Sequence, residues 1–262
     1  MAHYIVNSDS LPVRANRALK SRRLYEYLFG EVVNVTEVID DWAKVELNNG
    51  EVCGWVPIDS VAELNEQQYA EYMGMVQMKV EGTGLLVKAL DSYDTLLLPP
   101  CSVLPMYNFM TETFVLGNVE YQILSPMYWN MNLVSKRERI YRTAMCYLNA
   151  PFIRNGRTNG GIDDINLVCN ALGVVFNSIP HTIDEITKFG YRLSFIEEAT
   201  LGDILLFSDA SGEVSHCGIY MGNGRVLHAS GKVKIDKVDH QGIYNPTLRR
   251  YSFQLAGIIA IE

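Results

Sequence analysis

Beyond Gly202 the chain is written as short apolar strands at close spacing: Asp203-Ile-Leu-Leu-Phe207, His216-Cys-Gly-Ile-Tyr220, Arg225-Val-Leu-His-Ala229 and Leu255-Ala-Gly-Ile-Ile-Ala260. The Gly222-Asn-Gly224 turn makes the second and third antiparallel neighbours. His216 opens one of them and His228 lies at the end of the other, so the hairpin can set both imidazoles on one face, one orienting the other. Upstream the period is helical. Ser135 is placed as an N-cap with Glu138 three residues on, and Ile140, Tyr141, Ala144, Met145 and Leu148 follow at helical spacing. A second helix is predicted from Asp163 to Leu172, with Gly173 as its stop. Helices followed by an antiparallel sheet define an α+β domain.

Residues 1 to about 128 read differently, as strands and turns. Glu31 to Val38 is rich in β-branched residues, and Trp42-Ala-Lys-Val-Glu-Leu47 alternates after the Asp40-Asp41 turn. Asn48-Asn49-Gly50 reads as a hairpin turn into Val52-Cys-Gly-Trp-Val56, which Pro57 ends. Such spacing predicts a small barrel, with Trp42 and Trp55 in its core. After a short helix or linker at Glu63 to Tyr72, a second strand-rich block runs from Met75 to about Tyr128. It holds Gly84-Leu-Leu-Val-Lys88, Thr95-Leu-Leu-Leu98, Ser102-Val-Leu-Pro-Met106 and Glu120-Tyr-Gln-Ile-Leu124.

A net charge of −8 argues against nucleic acid as the main partner. No apolar run reaches the ~20 residues of a membrane span, and Met1-Ala-His-Tyr4 has neither a basic leader nor an apolar core, so cytoplasm is the literal reading of the sequence as written, and a removed leader would produce the same start. Cys53, Cys101, Cys146, Cys169 and Cys217 are dispersed, without zinc-ligand spacing, and fit reduced thiols.

Three segments in order, Gly202-Asp-Ile-Leu-Leu-Phe207, Ser215-His-Cys-Gly-Ile-Tyr220 and Gly222-Asn-Gly-Arg-Val-Leu-His-Ala-Ser230, resemble the signature of NlpC-type cell-wall cysteine peptidases. Ala150-Pro-Phe152 resembles that family's P-Y element, and Gly161 to Leu167 falls where the family writes G-x-D-C-S-G-L. Ser10-Leu-Pro-Val-Arg14, Gly30-Glu-Val-Val33, Trp42-Ala-Lys-Val45 and Gly54-Trp-Val56 are similar to bacterial SH3-like domains. The resemblance implies an α+β chain with a papain-like NlpC-type domain at residues 129–262, preceded by two small SH3-like barrels at 1–66 and 75–128. It implies a site of Asp164, His216 and His228, with Asp163, Phe152 and Arg154 binding substrate in a cleft walled by the first barrel. No cofactor or metal is implied, and relatives are usually extracellular or periplasmic.

The departures bear on chemistry. A cysteine peptidase needs a thiolate at a helix N-terminus and a histidine to ionise it. In the aligned pattern Asp163 matches the family aspartate, but Asp164 stands at the cysteine, within expected reach of His216. A carboxylate is a weak nucleophile toward an amide and a good leaving group. Ile165 and Asn166 replace Ser-Gly, Phe152 replaces the tyrosine, Arg154 and Asn155 replace part of W-G-G, and His181 replaces the arginine of P-R-T. Cys169 lies about 140° around the helix from Asp164, and Cys217 points to the strand face opposite His216. Neither substitutes. The expectation is a catalytically silent relative that binds peptidoglycan stem peptides or a protein partner. The alternatives are an active hydrolase of γ-D-glutamyl–diamino acid or similar amide bonds, and a structural or regulatory subunit. Asp163 and Asp164 as helix-start carboxylates, His216 and His228 as structural histidines, and a metal site of Asp164, His216 and His228 are the competing readings.

Overall fold

The computed structural model describes residues 2–47, 52–125, 134–209 and 211–262, so the turn at Asn48-Asn49-Gly50 lies outside the described residues. The chain divides into two compact units, Met1–Trp129 and Asn130–Glu262.

The first unit is built on β1 (Ala2–Val6), β2 (Ser10–Arg14), β3 (Arg23–Leu28), β4 (Val32–Ile39), β5 (Trp42–Leu47), β6 (Val52–Pro57) and β7 (Val61–Leu64). They form one antiparallel sheet in the order β3-β2-β6-β5-β4-β1-β7. The alternation of Trp42–Leu47 turns Ala43, Val45 and Leu47 inward, where they join Val6, Leu11, Val13, Val33 and Val56. That register puts Trp42 and Trp55 on the other face, which corrects their assignment to the core. Trp55 instead lies beneath Arg17 and Lys44, whose charged ends sit 5.4 and 6.0 Å from its ring centre.

The stretch after Glu63 is mostly α1 (Glu66–Gly74), closed at its start by a capping box between Asn65 and Gln68. Then come β8 (Met78–Lys79), β9 (Leu85–Ala89), β10 (Thr95–Leu98), β11 (Val103–Leu104), β12 (Thr113–Leu116) and β13 (Val119–Ile123). They enclose a second core of Val80, Leu85, Val87, Leu98, Phe114 and Tyr121 that also takes in Ile5, Phe29, Leu64 and Tyr72. Gly30 allows this: its φ is +77°, and a Cβ there would lie 2.2 Å from the carbonyl oxygen of Val103.

In the second unit, α2 (Lys136–Met145) starts at Ser135, whose side chain accepts from the Glu138 amide. The two-stranded ribbon β14 (Arg157–Thr158) and β15 (Gly161–Ile162) leads into α3 (Asp164–Gly173), capped by Asp163. Gly173 is the last helical residue and Val174 the C-cap, in a right-handed conformation, so the expected glycine stop falls one residue later. Helix α3 buries nearly all its residues, the polar Asp164, Asn166 and Asn170 included. Leu167, Val168 and Leu172, each worth roughly 1.5–3 kcal/mol of burial, fix it against the sheet.

After the short α4 (Ile183–Ile186) come β16 (Tyr191–Leu193), β17 (Ile204–Ser208), β18 (Val214–Tyr220), β19 (Arg225–Ser230), β20 (Lys232–Asp239), β21 (Gly242–Asn245) and β22 (Arg250–Ala260). The order is β16-β22-β17-β18-β19-β20-β21, and β21 pairs with β22 as well. The long last strand thereby joins both ends of the meander and closes it.

Candidate active site

The segment before α3 is pinned at several points. The Phe152 amide donates to the Gly231 carbonyl at 2.9 Å, and the Gly156 amide to the Ile153 carbonyl at 2.9 Å. Asn155, in a left-handed conformation, donates its amide to Oδ2 of Asp163 at 2.7 Å. Oδ1 of Asp163 accepts from the Asn166 amide at 2.8 Å. Both oxygens of this buried carboxylate are thus engaged by backbone, one as the helix cap and one as the tie to the preceding loop. Burial pushes its pKa up, against the pull of those two amides.

The next side chain, Asp164, points at the sheet. Its Oδ2 lies 2.6 Å from Nδ1 of His216 and accepts from the Cys217 amide at 3.1 Å. Nε2 of His216 is 2.8 Å from Nδ1 of His228, and Nε2 of His228 is 3.0 Å from Oδ2 of Asp236. Lys234 flanks Asp236 at 3.0 Å. Phe253 stacks on His216 with ring centres 4.2 Å apart. His228 fits because it faces Gly218, where any Cβ would lie 2.7 Å from a Val226 methyl. The four polar groups form a line, Asp164–His216–His228–Asp236.

The line fixes a proton count. The hydrogen bond from His228, followed by the pairing with Lys234, holds the Asp236 pKa down to about 2, so that carboxylate accepts. Burial lowers the pKa of His228, which favours the neutral ring donating from Nε2. Nδ1 of His228 is then an acceptor, and His216 donates to it from Nε2. A bare lone pair on Nδ1 of His216 facing a carboxylate at 2.6 Å would be repulsive, so a third proton occupies that contact. Both nitrogens of His216 are consumed in the line, leaving neither lone pair for a metal. Among the described residues, no three His, Cys, Asp or Glu side chains are arranged to hold one.

Cys169 and Cys217 are buried, and burial drives the first thiol up to about 12 and the second well above its ordinary value. Cys217 contributes its backbone amide to the site. Phe152 and Arg154 are exposed, and Arg154 makes no side-chain hydrogen bond or ion pair among the described residues. His181 lies on an exposed turn, its amide donating to Glu185. Reading the sequence found Asp164, His216 and His228 but missed Asp236 and Phe253. The alternation Lys232-Val-Lys-Ile-Asp236 was available as a strand signal, yet nothing in it says that Asp236 meets a histidine.

The pKa directions predict an acid profile. His228 lies below its ordinary 6.5 when folded, so it contributes stability above that value which is lost as pH falls through the folded pKa. Asp236 contributes stability above its ordinary 3.8, lost as pH falls toward about 2. Denaturant unfolding across this range is expected to show both losses. Asp236→Asn should remove the lower one, and an unchanged acid limb in that variant would contradict the assignment.

Residues 149–251 match the model of the NlpC/P60 family. Residues 149–251 of the second unit are thus an NlpC/P60 family domain. A probable endopeptidase of Mycobacterium tuberculosis (strain ATCC 25618 / H37Rv) is 32% identical over 120 residues, 44% of this chain and 29% of that protein. The gamma-D-glutamyl-L-lysine dipeptidyl-peptidase of Bacillus subtilis (strain 168) is 27% identical over 94 residues, 35% of this chain and 31% of that protein. The matches thus span under a third of either relative's length. A crystal structure of an NlpC/P60 family protein from Bacillus cereus ATCC 10987 shares the fold, with a TM-score of 0.77 at 17% identity over 98% of this chain and 99% of that one.

Proposed function

We propose that this protein is a catalytically silent homologue of the NlpC/P60 peptidases that binds peptidoglycan-derived peptides. The observation carrying this reading is Asp164, at the nucleophile's place, 2.6 Å from His216. The histidine that would ionise a cysteine is tied to a carboxylate instead, and neither neighbouring thiol can ionise near neutral pH. Exposed Phe152 and Arg154 beside the pinned loop offer an apolar face and a cation to a peptide carrying carboxylates. The N-terminal strands are read as two SH3-like barrels, residues 1–66 and 75–128. This rests on the sequence motifs and on the presence of two hydrophobic clusters there.

Incubation with muropeptides bearing a free L-alanine is expected to release no product in an iodoacetamide-sensitive manner. Calorimetric titration with L-Ala-γ-D-Glu-diaminopimelate is expected to show binding that weakens in Arg154→Ala. Thiol-dependent release of D-alanine or diamino acid products would sink the silent reading. Absence of binding at millimolar peptide would shift the assignment to a protein partner.

A further inference from the structure

Positive charge in the first unit is concentrated in one place. Residues 1–129 hold 8 Lys and Arg against 17 Asp and Glu, a net charge of −9. Five of those eight cations, Arg14, Arg17, Lys20, Arg22 and Arg23, fall within ten residues that contain no acid. They span the β2–β3 connection, Arg14 ending β2 and Arg23 opening β3, and Lys44 joins them from β5 through the shared Trp55 ring.

The connection is a built projection. The Ala15 amide donates to the Arg22 carbonyl at 2.9 Å, and the Ser21 amide to the Ala18 carbonyl at 2.9 Å. The Asn16 amide reaches the Ser21 hydroxyl at 2.9 Å, and Arg14 donates to the Ser21 carbonyl at 3.1 Å. Two of the cations are internally compensated: Arg23 pairs with the buried Glu26 at 3.2 Å, and Arg14 is drawn into the same group. Arg17 reaches the exposed Asp40 at only 3.4 Å. Lys20 and Arg22 have no side-chain partner among the described residues. Between Arg17 and Lys20 the tip carries Ala18 and Leu19, and Leu19 is 69% exposed.

The exposed Leu19 is flanked by Lys20 and Arg22, which have no side-chain partner among the described residues, and by Arg17, whose one carboxylate partner is itself exposed. On a unit otherwise acidic, this matches the chemistry of an anionic lipid surface. Cations near such a surface are attracted within a screening length, while an apolar tip gains by entering the headgroup region. The acidic remainder of the unit would be repelled, which orients this connection toward the lipid. We propose that the β2–β3 connection docks the protein on anionic membranes, Arg17, Lys20 and Arg22 supplying the attraction and Leu19 the insertion. This rests on no part of the peptide-binding reading. The same phosphate chemistry occurs in soluble glycerol phosphate polymers, so the test separates the two sources.

The full chain is sedimented with vesicles of phosphatidylglycerol and phosphatidylcholine in equal parts, and with vesicles of phosphatidylcholine alone. Binding to the first and not the second is expected. One cation near such a surface is worth about fivefold in affinity, so the triple variant Arg17→Ala, Lys20→Ala, Arg22→Ala should lose at least about tenfold. Leu19→Ser should weaken binding at high salt as well as low, because it removes apolar insertion, which is not screened, without changing charge. Lys88→Ala, an exposed cation of the same unit on β9, should bind as wild type does. Thermal unfolding of each variant confirms that it is folded. No binding to the anionic vesicles, equal binding to both vesicle types, or wild-type binding by the triple variant would overturn the proposal. So would stronger binding to a poly(glycerol phosphate) oligomer than to vesicles.

Discussion

Replacing Asp164 with cysteine is expected to leave hydrolysis of L-Ala-γ-D-Glu-diaminopimelate at least about a hundredfold below that of a cysteine-bearing family member. The substitution would set a thiol at the start of α3, facing Nδ1 of His216, with His228 and Asp236 still in line behind it. Base and orientation would therefore be restored. The surrounding groups would not. Phe152 has no hydroxyl to offer a developing oxyanion, and Ile165 and Asn166 fill positions that the resembling pattern keeps small. Asp164 is only 8% exposed and His216 5%, with Phe253 lying flat against the imidazole, whereas attack requires a carbonyl carbon within about 3–3.5 Å of sulfur. Single-turnover assays with iodoacetamide controls measure this. Turnover within tenfold of the cysteine-bearing enzyme would show that only one residue separates this protein from activity.

Asp163→Ala is expected to destabilise the second unit by about 3 kcal/mol, combining a lost helix cap with a lost charged acceptor for a buried amide. The Asn166 and Asn155 amides would both lose their partner, freeing the loop that carries Phe152 and Arg154. Asp163→Asn keeps an oxygen for the cap and is expected to cost less. Because both oxygens of Asp163 already serve backbone amides, neither is left for a ligand, and any loss of tripeptide affinity in Asp163→Asn should track the loosening of the Asn155 loop. Urea unfolding and peptide titration of the two variants separate structure from recognition. A tenfold loss of affinity at unchanged stability would make Asp163 a ligand group.

Much of the site could be read from local pattern. The turn at Gly222-Asn-Gly224 and the period of two make β18 and β19 partners, which brings His216 to His228. The N-cap at Asp163 and the helical period after it place Asp164 at a helix start. These features are set by neighbours in sequence, so their spacing carries the geometry. Asp236 is different. It reaches His228 from the next strand, and Phe253 reaches His216 from the last, on a strand that pairs with both β17 and β21. Trp55 shows the same limit within the first unit: a register with Gly54 and Val56 buried turns its ring outward to Arg17 and Lys44.

The sequence by itself determined the helix-then-sheet order, the histidine hairpin and the place of Asp164 at a helix start, because each is written in local period, turn and cap residues. Only the tertiary structure decided that Asp163 is spent on two amides and that Asp236 ends the proton line. It also decided that Trp55 faces outward. The first depends on how the loop at Asn155 folds back onto the helix start, and the other two on sheet register, where one residue of slip reverses a face.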